Sequence, residues 1–299
     1  MTECTLALAQ IESSCLDQRG NLEKMIAYAR RAEEAGADLL CFPEGALTGY
    51  CTERAREFAL PLDSTPCLRL AALARELGLL IAVGLLERAP DGRVFITQML
   101  CRPDGIHRFY RKTHLGGKEA GWISAGDRLP VFETAQGVIG MAVCYDTHYP
   151  ALVETLSLKG AELVLAPFAS PKDSLRRETW MKYLPARAYD NRVYLGCCNL
   201  VGGNGIGGHF SGGTVLFDPD GEVVCENFSQ EETLLTAAAS LEALSEHPLA
   251  RAVMMRAEED GLTAAPVGDF RALPGNGLTA TLSGETLLGG TGRFLKEEG

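Results

Sequence analysis

Short apolar runs of strand length alternate with amphipathic runs of helical spacing along most of this chain, and that alternation constrains the fold more than any other feature of the sequence. Thr5 to Ile11 alternates as a strand does, and Ala37 to Phe42, Leu79 to Leu86, Val138 to Val143, Glu162 to Ala166 and Val193 to Cys198 read as buried strands. Between them, Leu22, Met25, Ile26, Ala29 and Ala32 recur at helical spacing, with Asn21 as the expected N-cap and Gly36 as the left-handed stop. Further helices are predicted from Ser64 to about Leu77, from Pro150 to Lys159, and from Ser174 to Asn191 with a kink at Pro185. Arg93 to Cys101 and Ile106 to Tyr110 form a hairpin across Pro103-Asp104-Gly105, and Asp218-Pro219-Asp220-Gly221 joins two more strands. Interleaving of this kind requires a layered domain in which helices cover sheets.

A chain of 299 residues, 46% of them hydrophobic, can bury one large core, and no linker, repeat or low-complexity tract divides it. We therefore read one domain over residues 1–272 and a Gly-rich tail over 273–299, extended or packed on a partner subunit. With 28 basic against 39 acidic residues and a net charge of −11, nucleic acid is not an expected partner. The apolar run from Leu77 to Leu86 falls short of the ~20 residues that span a bilayer, so no membrane association is expected. Met1-Thr2-Glu3 lacks the basic start of a signal peptide, and the ten cysteines contain no CxxC pair, which points to a reducing, cytoplasmic setting.

Three segments could together carry chemistry. Glu44 follows Pro43 just past a strand end, Lys112 sits in Tyr110-Arg111-Lys112-Thr113-His114-Leu115, and Cys144 leaves a strand into Tyr145-Asp146 and Pro150. Taken singly, these are a loop carboxylate, a surface lysine and a core thiol. Taken together, they supply what a thiol nucleophile needs: a base, and a positive charge for the oxyanion. The task is demanding, because reference pKa values of about 8.5 for Cys and about 4.3 for Glu make proton transfer between unperturbed groups cost ~6 kcal/mol.

In order and spacing the three segments resemble the motifs of the nitrilase superfamily of carbon-nitrogen hydrolases. The similarity extends over about residues 4–270 and includes Arg187 to Asn191 and Gly212-Gly213-Thr214. The resemblance implies an α+β fold, a four-layer αββα sandwich, assembled as a homodimer or higher homo-oligomer. It also implies Cys144 as nucleophile, Glu44 as general base, Lys112 with the Tyr145 backbone N–H as oxyanion site, and Glu119 as a second carboxylate. Substrate contacts are expected from Tyr50, Tyr145, Thr147, Tyr149, Phe168, Ala169 and Trp180, and Arg176, Arg177 or Lys172 could hold a carboxylate. For Phe168 and Trp180, core packing is an almost equal expectation.

The expected substrate is a small amide or N-carbamoyl compound, and no cofactor is called for. Tyr145-Asp146 resembles the amidases and carbamoylases of the superfamily, whereas true nitrilases often carry Trp-Glu. A nitrilase, an acyl transferase and an inactive binding relic of the fold remain open alternatives. Other patterns carry less. Gly203-x-Gly205-x-x-Gly208 precedes a strand where a dinucleotide loop precedes a helix. Ser211 lacks the flanking Gly of a serine-hydrolase elbow, and the five histidines show no zinc spacing.

Overall fold

A computed structural model describes residues 2–171, 173–241, 268–273, 277–282 and 285–290. In chain order the elements begin β1 (Thr2–Gln10), α1 (Gln18–Glu34), β2 (Leu39–Cys41), α2 (Ala55–Phe58), α3 (Thr65–Leu77), β3 (Leu80–Arg88), β4 (Val94–Cys101) and β5 (His107–Arg111). There follow β6 (Phe132–Thr134), β7 (Gly137–Met141), a 3-10 turn (Cys144–His148), α4 (Pro150–Leu158), β8 (Leu163–Phe168), α5 (Arg176–Met181) and α6 (Leu184–Asn191). The last are β9 (Tyr194–Asn199), β10 (Val201–Gly203), β11 (His209–Ser211), β12 (Thr214–Phe217), β13 (Val223–Asn227), β14 (Thr233–Leu241), β15 (Gly268–Leu273), β16 (Gly277–Leu282) and β17 (Glu285–Gly290).

Two six-stranded mixed sheets organise the unit that runs from Met1 to Ala243, in the orders β14-β1-β2-β3-β4-β5 and β13-β12-β9-β8-β7-β6. In each, three strands run parallel (β1-β2-β3 and β7-β8-β9) and antiparallel strands flank them. Three apolar layers show how the sheets stack. Leu6, Leu8, Cys41, Leu86, Met141, Val143, Leu165, Cys198 and Leu216 fill the space between the sheets. Ala7, Ala9, Leu40 and Ile81 on the far face of the first sheet meet Met25, Ala29 and Ala32 of α1 and Leu70 and Leu73 of α3. Val164, Leu195 and Val215 on the far face of the second meet Leu152 and Leu156 of α4, Trp180 of α5 and Ala188 of α6. The period-two alternation of strand side chains thus feeds two cores at once, which produces the αββα order.

Several local expectations change. The α1 N-cap is Asp17, whose carboxylate accepts from the Gly20 N–H at 2.8 Å. Asn21 is buried instead, bonding Ser14 and the Leu47 carbonyl, because its amide is needed to tie the loop after β1 to the loop after β2. Gly36, at φ 74°, does end the helix. The long helix expected over 174–191 is two helices, α5 and α6, with Pro185 in the first turn of the second. There a missing N–H costs nothing, whereas in mid-helix it would leave a carbonyl unpaired. β6, β14 and the β10-β11 hairpin have no counterpart in the sequence reading.

The second unit spans Leu244 to Gly299. Its described strands form a three-stranded antiparallel sheet, β15-β16-β17, lying largely in the stretch read as a Gly-rich tail. Residues 242–267, 274–276, 283–284 and 291–299 lie outside the described residues.

Candidate active site

Glu44, Lys112 and Cys144 come from three separate strand ends and meet at one place. Glu44 follows β2 in a segment that lies directly on β3, and the approach depends on Gly84. A Cβ there would stand 2.0 Å from the Pro43 carbonyl oxygen and 2.9 Å from Glu44 Cα. Lys112 follows β5, pinned by its own N–H to the Ile96 carbonyl at 2.9 Å and by its carbonyl to the Gly126 N–H at 2.8 Å. Cys144 opens the 3-10 turn after β7 at φ 49°, a left-handed conformation uncommon for a residue with a side chain. The turn holds it there: Thr147 donates to the Cys144 carbonyl at 2.6 Å, and Arg187 from α6 donates to the Thr147 carbonyl at 2.9 Å.

Lys112 is the centre of the charge arrangement. Its ammonium donates to Glu44 Oε1 at 2.9 Å and to Glu119 Oε1 at 2.7 Å, with the side chains of Lys112 and Glu44 fully buried and Glu119 nearly so. The second oxygen of Glu44 accepts from the Ala169 N–H at 2.8 Å, and that same N–H faces the Cys144 sulfur. Glu119 also accepts from the Tyr50 hydroxyl and, at 2.6 Å, from the Gly116 N–H. Each buried charge therefore has a hydrogen-bonded partner, the condition under which burial is tolerated.

Burial above all pushes Glu44 up to about 7, with the Lys112 ammonium pulling against it and the Glu119 charge adding to the rise. Burial also opposes the Lys112 ammonium, but the charges of Glu44, Cys144 and Glu119 outweigh it and the lysine is held above its ordinary value. Burial, then the Glu44 charge, push the Cys144 thiol up to about 12 against the pull of Lys112. The resting site is thus a thiol beside a buried ion pair. The Tyr50 phenol is likewise held well above its ordinary value, first by burial and then by the two carboxylates, so it stays a donor to Glu119.

Cys144 is partly exposed at the floor of a cavity of about 480 Å³, whose wall includes Lys112, Glu119, Tyr50, Tyr145, His148, Ala169, Ser170, Pro171, Asn204, Ile206 and Phe210. Of the residues expected to contact substrate, Tyr50, Tyr145 and Ala169 are in that wall. Four others lie elsewhere. Phe168 and Trp180 pack on each other in the core, ring centroids 4.5 Å apart, and Tyr149 stacks on His114 at 3.8 Å. Thr147 spends its hydroxyl on the Cys144 carbonyl. Arg176 and Arg177 are engaged by Ser211 and Pro171 and by Glu226 respectively, and Lys172 lies outside the described residues.

The sequence reading missed several groups. Asp146, fully buried, accepts from the N–H groups of Val143 and His114 at 2.9 Å and from the Tyr110 hydroxyl at 2.8 Å, lacing the lysine segment to the turn that opens at Cys144. Ser170 places its hydroxyl 4.0 Å from the Cys144 sulfur. Asn204, in the loop carrying the decoy glycines, accepts from Ile206 and Gly208 and donates to the Tyr50 carbonyl at 3.0 Å, shaping the cavity rim. Among the described residues, no three His, Cys, Asp or Glu side chains group as metal ligands.

Known proteins share this arrangement of sheets. Residues 5–248 match the carbon-nitrogen hydrolase family. A hydrolase of Pseudomonas protegens is 35% identical over 66% of this chain and 70% of its own. An omega-amidase of Xenopus tropicalis is 29% identical over 82% and 92%. An amidase from Nesterenkonia sp. AN1, solved in complex with butyramide, superposes with a TM-score of 0.73 at 29% identity, covering 85% of this chain and 96% of that one. Another structure of that amidase carries the acetamide moiety of fluoroacetamide covalently on its active-site cysteine. Two facing mixed sheets, a match over most of the chain, and a buried carboxylate and ammonium beside a cysteine at a strand exit agree on one assignment: the chain belongs to the carbon-nitrogen hydrolase family, in the nitrilase superfamily.

Proposed function

We propose that the protein hydrolyses the carbon-nitrogen bond of a small amide, with Cys144 as nucleophile, Glu44 as general base and acid, Lys112 and the Tyr145 N–H as the oxyanion site, and Glu119 orienting lysine and substrate. The observation that carries this reading is the Lys112 ammonium shared between Glu44 and Glu119 at 2.9 and 2.7 Å beside a thiol that opens onto a cavity. The amidase relatives support amide over nitrile.

A thiol raised to about 12 does not ionise ahead of the reaction, so its proton leaves as the new bond forms. Cys144 Sγ attacks the carbonyl carbon while its proton passes to a Glu44 carboxylate oxygen and the carbonyl π electrons move onto oxygen. The developing oxyanion meets the Lys112 ammonium and the N–H of Tyr145, the second residue of a 3-10 turn, where helical geometry offers no internal partner. Collapse of the adduct breaks the C–N bond as Glu44 returns the proton to nitrogen, releasing ammonia or an amine and leaving a thioester. Water then attacks the thioester and gives a proton to Glu44, and the C–S bond breaks as Glu44 returns that proton to sulfur, regenerating the thiol and releasing the carboxylic acid. Neutral amides and N-carbamoyl compounds both fit this sequence.

Ammonia release measured over aliphatic amides, N-carbamoyl amines and nitriles tests the reading. Turnover of amides that vanishes in Cys144→Ala and persists in Cys225→Ala supports it; release from nitriles alone overturns it.

A homodimer and a cytoplasmic setting complete the proposal. Exposed Leu158 and Tyr189 on the outer side of the α4-α6 pair support a second copy docking there, and light scattering at the monomer mass would overturn that part. Ten free thiols support a reducing compartment. Among the described residues no helix is long and apolar enough to cross a membrane.

A further inference from the structure

Ser170 carries a hydroxyl that the mechanism leaves without a task. Its oxygen lies 4.0 Å from Cys144 Sγ, and among the described residues the sulfur is its sole hydrogen-bond contact. Sulfur is a weak acceptor, so a cavity-lining hydroxyl with one donor and two lone pairs retains most of its bonding capacity.

The position is fixed by its surroundings. The Ser170 N–H donates to Asn199 Oδ1 at 2.8 Å, and Asn199, fully buried, is anchored in turn to the Gly212 carbonyl at 2.7 Å and to Ser211 Oγ at 3.2 Å. On one side Ala169 is tied to Glu44, and on the other Pro171 bridges to Phe210. The hydroxyl therefore stands beside the nucleophile on a backbone clamped at three successive residues, the kind of support a selective contact requires.

A carbonyl carbon bonded to Sγ directs three substituents into the site. Under the hydrolase reading, on which this step rests, the oxygen goes to Lys112 and the Tyr145 N–H, and the nitrogen goes to the carboxylates. That leaves the acyl branch to the rest of the cavity wall, which includes Ser170 beside the sulfur, Ile206 and Phe210. We infer that Ser170 reads the atom on the α-carbon of the acyl group, so that preferred substrates carry a hydrogen-bonding oxygen or nitrogen there: 2-hydroxy, 2-oxo or 2-amino amides. An alkyl group at the same place would cover the hydroxyl and give it nothing to bond, and sites built around a hydroxyl contact discriminate strongly against analogues that lack it.

The test compares 2-hydroxypropionamide with isobutyramide, in which a methyl group replaces the hydroxyl. Wild type is expected to prefer the hydroxy amide by about ten-fold or more in kcat/KM. In Ser170→Ala, shown folded by an unchanged melting profile, the ratio of the two should collapse to within about two-fold. Equal kcat/KM values for the two amides in wild type, or a preference that survives Ser170→Ala, overturn the inference and leave the hydrolase reading intact. Failure to release ammonia from these two amides and from every other amide and N-carbamoyl compound in the screen, with Cys144 still alkylated by iodoacetamide, overturns both.

Discussion

Lys112 and Glu44 form an ion pair at 2.9 Å with neither side chain reaching solvent, and Glu119 completes it from the other side of the ammonium. Removing the shared cation leaves two buried carboxylates without compensation, an arrangement that costs ~3–5 kcal/mol. Lys112→Met should therefore lower the melting temperature markedly as well as abolish turnover. Calorimetry on Lys112→Met and on Lys112→Met with Glu44→Gln separates the two effects: the second change should recover part of the stability and none of the activity.

Glu44 accepts a proton only as a carboxylate, and burial raises it to about 7. Activity on a neutral amide should fall as pH drops through about 7, because protonated Glu44 cannot take the thiol proton. Above that value kcat/KM should be flat toward pH 9, since the thiol lies near 12 and contributes no second limb there. A pH profile with its acid limb near 4.5, the value of an ordinary glutamate, would contradict the role of burial.

Asp146 ties the Lys112 segment to the Cys144 turn without lining the cavity. Asp146→Ala strands the Val143 and His114 N–H groups and leaves the Tyr110 hydroxyl with Thr113 alone, and should cost ~2–4 kcal/mol with a drop in kcat. Asp146→Asn keeps one acceptor oxygen and should recover much of the stability. If both variants match wild type in kcat and in denaturant midpoint, the positioning role is wrong.

Gly84→Ala tests the contact that brings Glu44 into place. The added Cβ meets the Pro43 carbonyl oxygen at 2.0 Å, a backbone atom that cannot swing aside as a side chain would, so the Glu44 segment must move away from β3. A loss of ~1–3 kcal/mol in stability is expected. Turnover should fall by about ten-fold or more, because small displacements of a catalytic group are costly. Gly121→Ala, where an added Cβ meets nothing within 4 Å and the residue is outside the cavity wall, provides the control for substituting a glycine that has space around it.

The layered architecture was legible because each buried strand carries its own periodicity, as Leu79 to Leu86 and Val138 to Val143 do, and because Pro43, Gly36 and Pro150 mark boundaries locally. Glu44, Lys112 and Cys144 were legible through motif order alone. No local signal brings them together, since the meeting point is made by pairing strands far apart in sequence. Ser170 and Asn204 were missed for the same reason: a serine and an asparagine beside proline or glycine read as loop, and only Asn199 and Tyr50 give them fixed places. Phe168 and Trp180 read as pocket aromatics or as core about equally, and they are core: Phe168 of the second sheet packs on Trp180 of α5. The kink expected at Pro185 is a full break at Lys182 and Tyr183, because the proline opens α6; helical spacing, satisfied on both sides, does not show its extent.

β1 pairs residue for residue with β14, from Thr2 opposite Leu241 to Gln10 opposite Thr233. β1 must therefore wait, one flank open, until β14, far later in the chain, has been synthesised. During that interval its exposed backbone edge can recruit a strand from another nascent chain. Expression yield and chaperone demand should thus depend on how quickly the segment around Thr233 follows, and a chain truncated before it would be expected to aggregate with its catalytic residues otherwise intact.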